Sequence, residues 1–150
     1  MTEYPSNTAD RIPEIYCAVS LMFDAETDME SVISELKNIG INQTVFHKPR
    51  YGNAVYLDIA VVANACLWSV GDALSAMFSQ IQASFQSVRN IVCRYAGKIY
   101  IDISFYQYGR YPVLVIDGDN MEKIHVLGAN ISIDAYDCSQ RGQGESCNEK

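Results

Sequence analysis

Positive charge is in short supply in this chain. Eleven Lys and Arg stand against 18 Asp and Glu, giving a formal net charge of −7 and a pI near 4.7. Such a field repels phosphate backbones and anionic membrane. Neutralising phosphates also takes clustered Lys and Arg, so nucleic acid and membrane are not expected as partners. Histidine is scarcer still: His47 and His125 are the only two. Neither has a Cys or carboxylate at ligand spacing, so no metal site and no histidine-centred catalysis are expected. The G-x-S-x-G elbow, the P-loop and the G-x-G-x-x-G fingerprint are all missing, and no cofactor is expected. No apolar run approaches the ~18 residues of a membrane span. The opening "MTEYPSNTADRIPE" lacks the apolar stretch of a signal peptide, so the expected location is cytoplasmic. Five cysteines, an odd number, argue against a disulfide framework. Cys17, Cys66 and Cys93 fall within apolar patterns and read as reduced, buried thiols. Cys138 and Cys147 lie in the polar C-terminal stretch, and a bridge between them is given little weight.

What is present is an ordinary apolar content, 49%, in 150 residues, enough for one domain that buries roughly two-thirds of its unfolded surface. The reading is a loose N-terminal arm over 1–12, a folded unit over 13–137 and a disordered polar tail over 138–150. Apolar residues at every second position predict strands over Glu14–Phe23, Val55–Val62 and Lys98–Tyr106. A continuous apolar run predicts a strand at Val113–Ile116. The loop "INQTVFHKPRYGN" has room for another short strand. Helical spacing predicts a first helix with Thr27 as its cap, Glu30 completing a capping box and Gly40 as its stop. A second helix starts at Ser69 and Asp72, a third spans Phe85–Tyr95, and "DGDN" caps a short fourth helix over Met121–Leu127. The last strand alternates Ile131, Ile133 and Ala135, set to face the core, with Ser132, Asp134 and Tyr136. "EIYCAVS" (14–20) and "KIYIDIS" (98–104) share a pattern, and each precedes an acidic turn and a helix expected to start with Met-Glu (Met29-Glu30 and Met121-Glu122), which suggests a duplicated β-α-β unit. The expected fold class is α+β: a largely antiparallel sheet with helices packed on one face.

The candidate functional residues lie on the sheet's other face. Period-2 geometry that aims Ile99, Ile101 and Ile103 at the helices sends Tyr100, Asp102, Ser104 and Tyr106 the opposite way. The same parity places Tyr16, Ser20 and Met22, then Tyr56 and Asp58, then Ser132, Asp134 and Tyr136 on that face. Asp is disfavoured in strands, yet three strands carry one at mid-length. Tyr contributes interface area and a hydroxyl at low entropy cost. A half-solvated antiparallel sheet, in which Asp keeps the open face wet, accounts for the same pattern without a partner. Two acidic turns add Asp24, Glu26 and Asp28, and Asp117 and Asp119, at helix starts where the macrodipole favours carboxylates; both are expected on the same edge of the sheet. "DGDN" is not an EF-hand: its sixth position would be Glu122 and its twelfth Gly128. The loops "RYG" (50–52) and "GRYP" (109–112) each add an Arg-Tyr pair.

The helix-glycine-strand run "IHVLGANISIDAYD", the "YPVLVID" ahead of it, the loop "NIGINQTVFHKPRYG" and Trp68-Ser69 before the long helix resemble the bacterial domain of unknown function 4279 over residues 14–137. In that family a Pro-Thr usually follows the first helix; here the pair is Gln43-Thr44. The resemblance implies a small α+β domain and transfers no catalytic residue. By analogy, small acidic domains of this kind resemble immunity proteins.

Three functional expectations follow. The first is a non-enzymatic binding protein of immunity type that occludes a basic, nuclease-type toxin. The second is a homodimeric scaffold that buries the tyrosine and aspartate face against itself. The third is a small-molecule sensor or enzyme with a pocket between helices and sheet near Trp68 and His125.

Overall fold

The computed structural model describes residues 12–48, 52–57 and 69–139. The arm over 1–11, the segment 58–68 with Asp58 and Trp68, and the tail from 140 onward lie outside the described residues. The elements are β1 (Glu14–Phe23), α1 (Met29–Asn38), β2 (Gln43–Lys48), β3 (Gly52–Leu57), α2 (Val70–Ile81), a 3-10 turn (Gln82–Ser84), α3 (Phe85–Arg94), β4 (Lys98–Gln107), α4 (Gly118–Leu127) and β5 (Ala129–Asp137). The five strands form one sheet in the order β2-β3-β1-β4-β5. All pairings are antiparallel except β4 with β5, which is parallel. This is the expected α+β architecture.

The centre of the sheet is the antiparallel pair β1–β4, in register from Glu14 opposite Tyr106 to Met22 opposite Lys98. The two similar heptapeptides meet there about a pseudo-two-fold axis. Tyr16 faces Ser104, Ser20 faces Tyr100, and the equivalent positions Ala18 and Asp102 face each other. On one side of this axis runs β4-α4-β5. On the other runs β1-α1-β2, in which β2 lies parallel to β1 but is separated from it by the inserted strand β3.

Period 2 decides the core. Ile15, Cys17, Val19, Leu21 and Phe23 of β1, with Ile99, Ile101, Ile103 and Phe105 of β4, are buried with Val32 and Leu36 of α1, Leu74, Met77 and Phe78 of α2, Val88 and Val92 of α3, and Leu127 of α4. Phe78 and Phe85 meet edge to face at 5.5 Å. Burial pushes the Cys17 thiol up to about 12, whereas Cys93, expected inside, is exposed on α3.

Helix ends show where local signals worked and where they slipped. Asp28, not Thr27, caps α1: its carboxylate accepts from the Ser31 hydroxyl at 2.6 Å and from the Ser31 N–H at 3.3 Å. Ser69 occupies the N-cap of α2, but its side chain makes no capping bond, and the Val70 N–H donates to the Val113 carbonyl at 3.0 Å instead. Helix α4 begins at Gly118, one turn early, because Asp117 accepts from the Asn120 N–H at 2.8 Å. Gly128 ends it with φ +71, as the glycine stop predicts.

Three strand expectations need correction. The strand expected at Val55–Val62 starts earlier, at Gly52, and is described only as far as Leu57. Val113–Ile116 is not a strand: Val113 makes a single parallel bridge to Ser69. That segment runs across the start of α2, where a Cβ on Gly71 would sit 2.8 Å from the Val115 carbonyl oxygen. Finally, Ile131 and Ile133 do not face a core. They are 38% and 50% exposed, although they pair with the buried Ile101 and Ile103. Ten residues of α4 span about 15 Å, while the nine of β5 span about 30 Å. The helix therefore covers the strand's start, where Ala129 is partly buried, and leaves the rest open.

The strand end also differs from the expected disorder after Asp137. Cys138 is buried and disulfide-bonded, with its partner outside the described residues, and its N–H donates to the Gln107 carbonyl at 2.8 Å.

Asn120 is the polar joint of the helical layer. Fully buried, it donates to the Gly71 carbonyl at 3.1 Å and exchanges hydrogen bonds with the Ser75 hydroxyl. The Ser75 hydroxyl also donates to the Gly71 carbonyl, at 3.0 Å. Asn120→Ala therefore removes the amide's own bonds to Gly71 and Ser75 at a fully buried site, and urea denaturation is expected to show a loss of about 2 kcal/mol. Alkylation followed by peptide mapping should label Cys93 in the folded protein and Cys17 only after unfolding, since a thiol titrating near 12 holds almost no thiolate at neutral pH.

Candidate functional site

The outer face of the sheet is built by the even-numbered residues of β1, β3, β4 and β5, and it sorts into two clusters. At the end of the sheet where β1 finishes and β4 begins, a groove of about 410 Å³ is lined by Ser20, Met22, Phe23, Asp24, Tyr56, Lys98, Tyr100, Asp102 and Ser132. The register explains its shape. Tyr56 on β3 and Tyr100 on β4 both lie opposite Ser20 on the strand between them. Two strand spacings, about 10 Å, therefore separate the tyrosine backbones. The floor between them is Ser20, a side chain too small to fill the gap. Asp102, opposite Ala18 and in register with Ser132 of β5, closes one end. Met22, Lys98 and Asp24 lie toward the other.

The second cluster is an aromatic row across the opposite end of β1, β4 and β5. Tyr16 meets Tyr106 edge to face at 5.8 Å, and Tyr106 stacks on Tyr136 at 4.8 Å. The Glu14 carboxylate accepts from the Tyr16 hydroxyl at 3.1 Å and from the Tyr108 hydroxyl at 3.3 Å. Partial burial, followed by the hydrogen bond and charge of Glu14, raises the Tyr16 phenol above its ordinary value. Tyr136 remains 44% exposed at the sheet's edge. Asp134, on the same strand and face, is exposed and in register with Ser104, between the two clusters.

The predicted residues are thus divided. Tyr56, Tyr100, Asp102 and Asp24 come together at the groove. Tyr16, Tyr106 and Tyr136 form the row, and Asp58 lies outside the described residues. Glu26 and Asp28 are exposed in the turn after β1. Ser31's hydroxyl, then its N–H, hold the Asp28 carboxyl below the usual range, and its capping bonds occupy it. Asp117 caps α4, and Asp119 follows it in the first turn. The two acidic turns follow β1 and β4, whose antiparallel pairing points their C-terminal ends to opposite ends of the sheet. They do not share one edge. Lys98, absent from the predicted set, had a signal in the sequence: it has the parity of Tyr100 and Asp102. Phe23 had none, since its parity is that of the core.

His125 is exposed in the last turn of α4; the side chain of His47 on β2 and the whole of Trp68 lie outside the described residues. Among the described residues no group of three His, Cys, Asp or Glu is placed to hold a metal ion, and no helix is long and apolar enough to cross a membrane. Comparison with protein-family models, curated proteins and solved structures finds no match to this chain.

Chemically, the groove offers two aromatic faces and a carboxylate to a cationic or polar group, with hydroxyls at its floor and rim. Tyr16 gives a direct reading of the row. Its phenol is raised in the folded state, so the neutral form is favoured by folding. That stabilisation is present below the ordinary phenol range and is lost as pH climbs through the raised value. In an alkaline absorbance titration Tyr16→Phe should remove a late-ionising tyrosine, and the mutant's stability should decline less steeply above pH ~10 than that of the wild type.

Proposed function

We propose that the chain is a non-enzymatic, acidic protein-binding domain of the immunity type, which neutralises a basic, nuclease-type bacterial toxin by covering its phosphate-binding cleft. The observation that carries this reading is the groove between Tyr56 and Tyr100 with Asp102 at its end, set on an open sheet face that also presents Asp134 and Tyr136. Aromatic side chains flanking a carboxylate are what a Lys- or Arg-rich surface recognises: the rings supply area and cation–π attraction, the carboxylate a charge-assisted hydrogen bond. The net charge of −7 supplies long-range steering of a cationic partner. The likeness to the bacterial domain of unknown function 4279 belongs to the same proposal, as does a cytoplasmic site of action. Thiol buffers there would open the Cys138 disulfide, while the Cys138 N–H bond to Gln107 holds the end of β5 without it.

The test is retention of proteins from the native cell on the wild-type chain and on the double variant Asp102→Lys, Asp134→Lys, after both are shown to fold. A basic protein retained by the wild type should be released by the variant, its nuclease activity should fall when wild-type chain is added, and its association rate should drop as salt rises toward ~0.5 M. A retained partner that binds both forms equally, or an association rate indifferent to salt, would remove the outer face from the mechanism.

A further inference from the structure

The edge strand β5 has properties the outer-face site does not use. No described strand pairs with its far side. From Ile131 to Asp137 every residue except Ser132 is exposed, including Ile133 at 50% and Tyr136 at 44%. Edge strands of this length are usually blunted by Lys, Pro or a bulge. Here the strand contains neither Lys nor Pro, and its register with β4 runs unbroken from Ala129 to Asp137.

We propose that two copies of the chain pair antiparallel through β5, joining their sheets across a two-fold axis at Ile133. The strand's own sequence argues for this occupant. An isologous contact must be self-complementary, and Ile133 is the midpoint of Ala129–Asp137, so pairing about it engages all nine residues. Ile133 then lies beside its copy, Ile131 beside Ala135, Asn130 beside Tyr136, Asp134 beside Ser132 and Asp137 beside Ala129. The apolar set meets itself on the helix side, where α4 leaves it open. No carboxylate faces a carboxylate, although a register centred on Asp134 would oppose two directly. Directly opposed side chains share a face, so both copies present their grooves on the same side of the joined sheet. The interface therefore leaves the outer face free. This differs from a dimer that buries its tyrosine and aspartate face.

Each copy carries the same −7, so screening of their repulsion should strengthen pairing as salt is added. That trend is opposite to the one expected for a basic partner, and it separates the two proposals. Sedimentation across a range of concentrations is expected to approach twice the 16.7 kDa chain mass, with association tightening at higher salt. Ile133→Lys, at a half-exposed site, should leave the melting curve unchanged and raise the dimer dissociation constant by about tenfold or more. In a Cys93→Ser background, Ile133→Cys should oxidise to a covalent dimer, because directly opposed Cα atoms lie about 4.5–5.5 Å apart, within disulfide range. Val126→Cys, exposed on α4, should not. A chain that sediments as a monomer throughout, a dimer unaffected by Ile133→Lys, or equal cross-linking at Val126 would overturn the proposal.

Discussion

The antiparallel pairing of β1 with β4 is the contact on which everything else in this structure rests. It places the two longest strands at the centre of the sheet, each hydrogen-bonded on both sides, and it fixes the parity of both. Once Cys17 faces Ile103 and Val19 faces Ile101, the odd-numbered residues have one side and the even-numbered residues the other. A slip of β4 by one residue would turn Ile99, Ile101 and Ile103 to water and bury Tyr100 and Asp102. The cost would run to several buried apolar side chains at about 2 kcal/mol each. That margin is large compared with any single cap or ion pair, including the exposed Arg94–Glu35 pair between α3 and α1.

The same register makes the groove. Its walls come from strands on either side of β1, and its floor exists because β1 carries the small Ser20 at the position between them. A larger residue there would fill the space. At the far end Tyr16 takes the equivalent place on β1, and the face closes into a packed aromatic row. Groove and row are thus two outcomes of one pattern, chosen by the size of the side chain on the central strand.

Most of the core and the parity of the outer face were legible because strand alternation is local and β1 and β4 repeat it over ten residues each. Helix ends were legible to within a turn: Asp28 and Asp117 compete with neighbouring residues for the cap, and the winner is set by which carboxylate reaches an N–H. The misreadings have a common cause. Val113–Ile116 has the composition of a buried strand, and Ile131 and Ile133 have the alternation of a half-buried one, but composition does not reveal what lies across from a residue. The first is held against α2 by backbone contacts, and the second outruns a short helix.

The sequence by itself determined which side chains share a face, where helices could begin and end, and the sign of the field around the molecule, since all three depend on nearest neighbours or on summed charge. Only the tertiary structure decided that Tyr56, Tyr100 and Asp102 gather at a groove while Tyr16, Tyr106 and Tyr136 form a row, that the two acidic turns follow strands ending at opposite ends of the sheet, that Cys93 is outside, and that β5 keeps an open apolar edge. Those outcomes depend on strand order, on register between segments some eighty residues apart, and on the length of α4 relative to the strand it crosses, and none of these is encoded within a local window of residues.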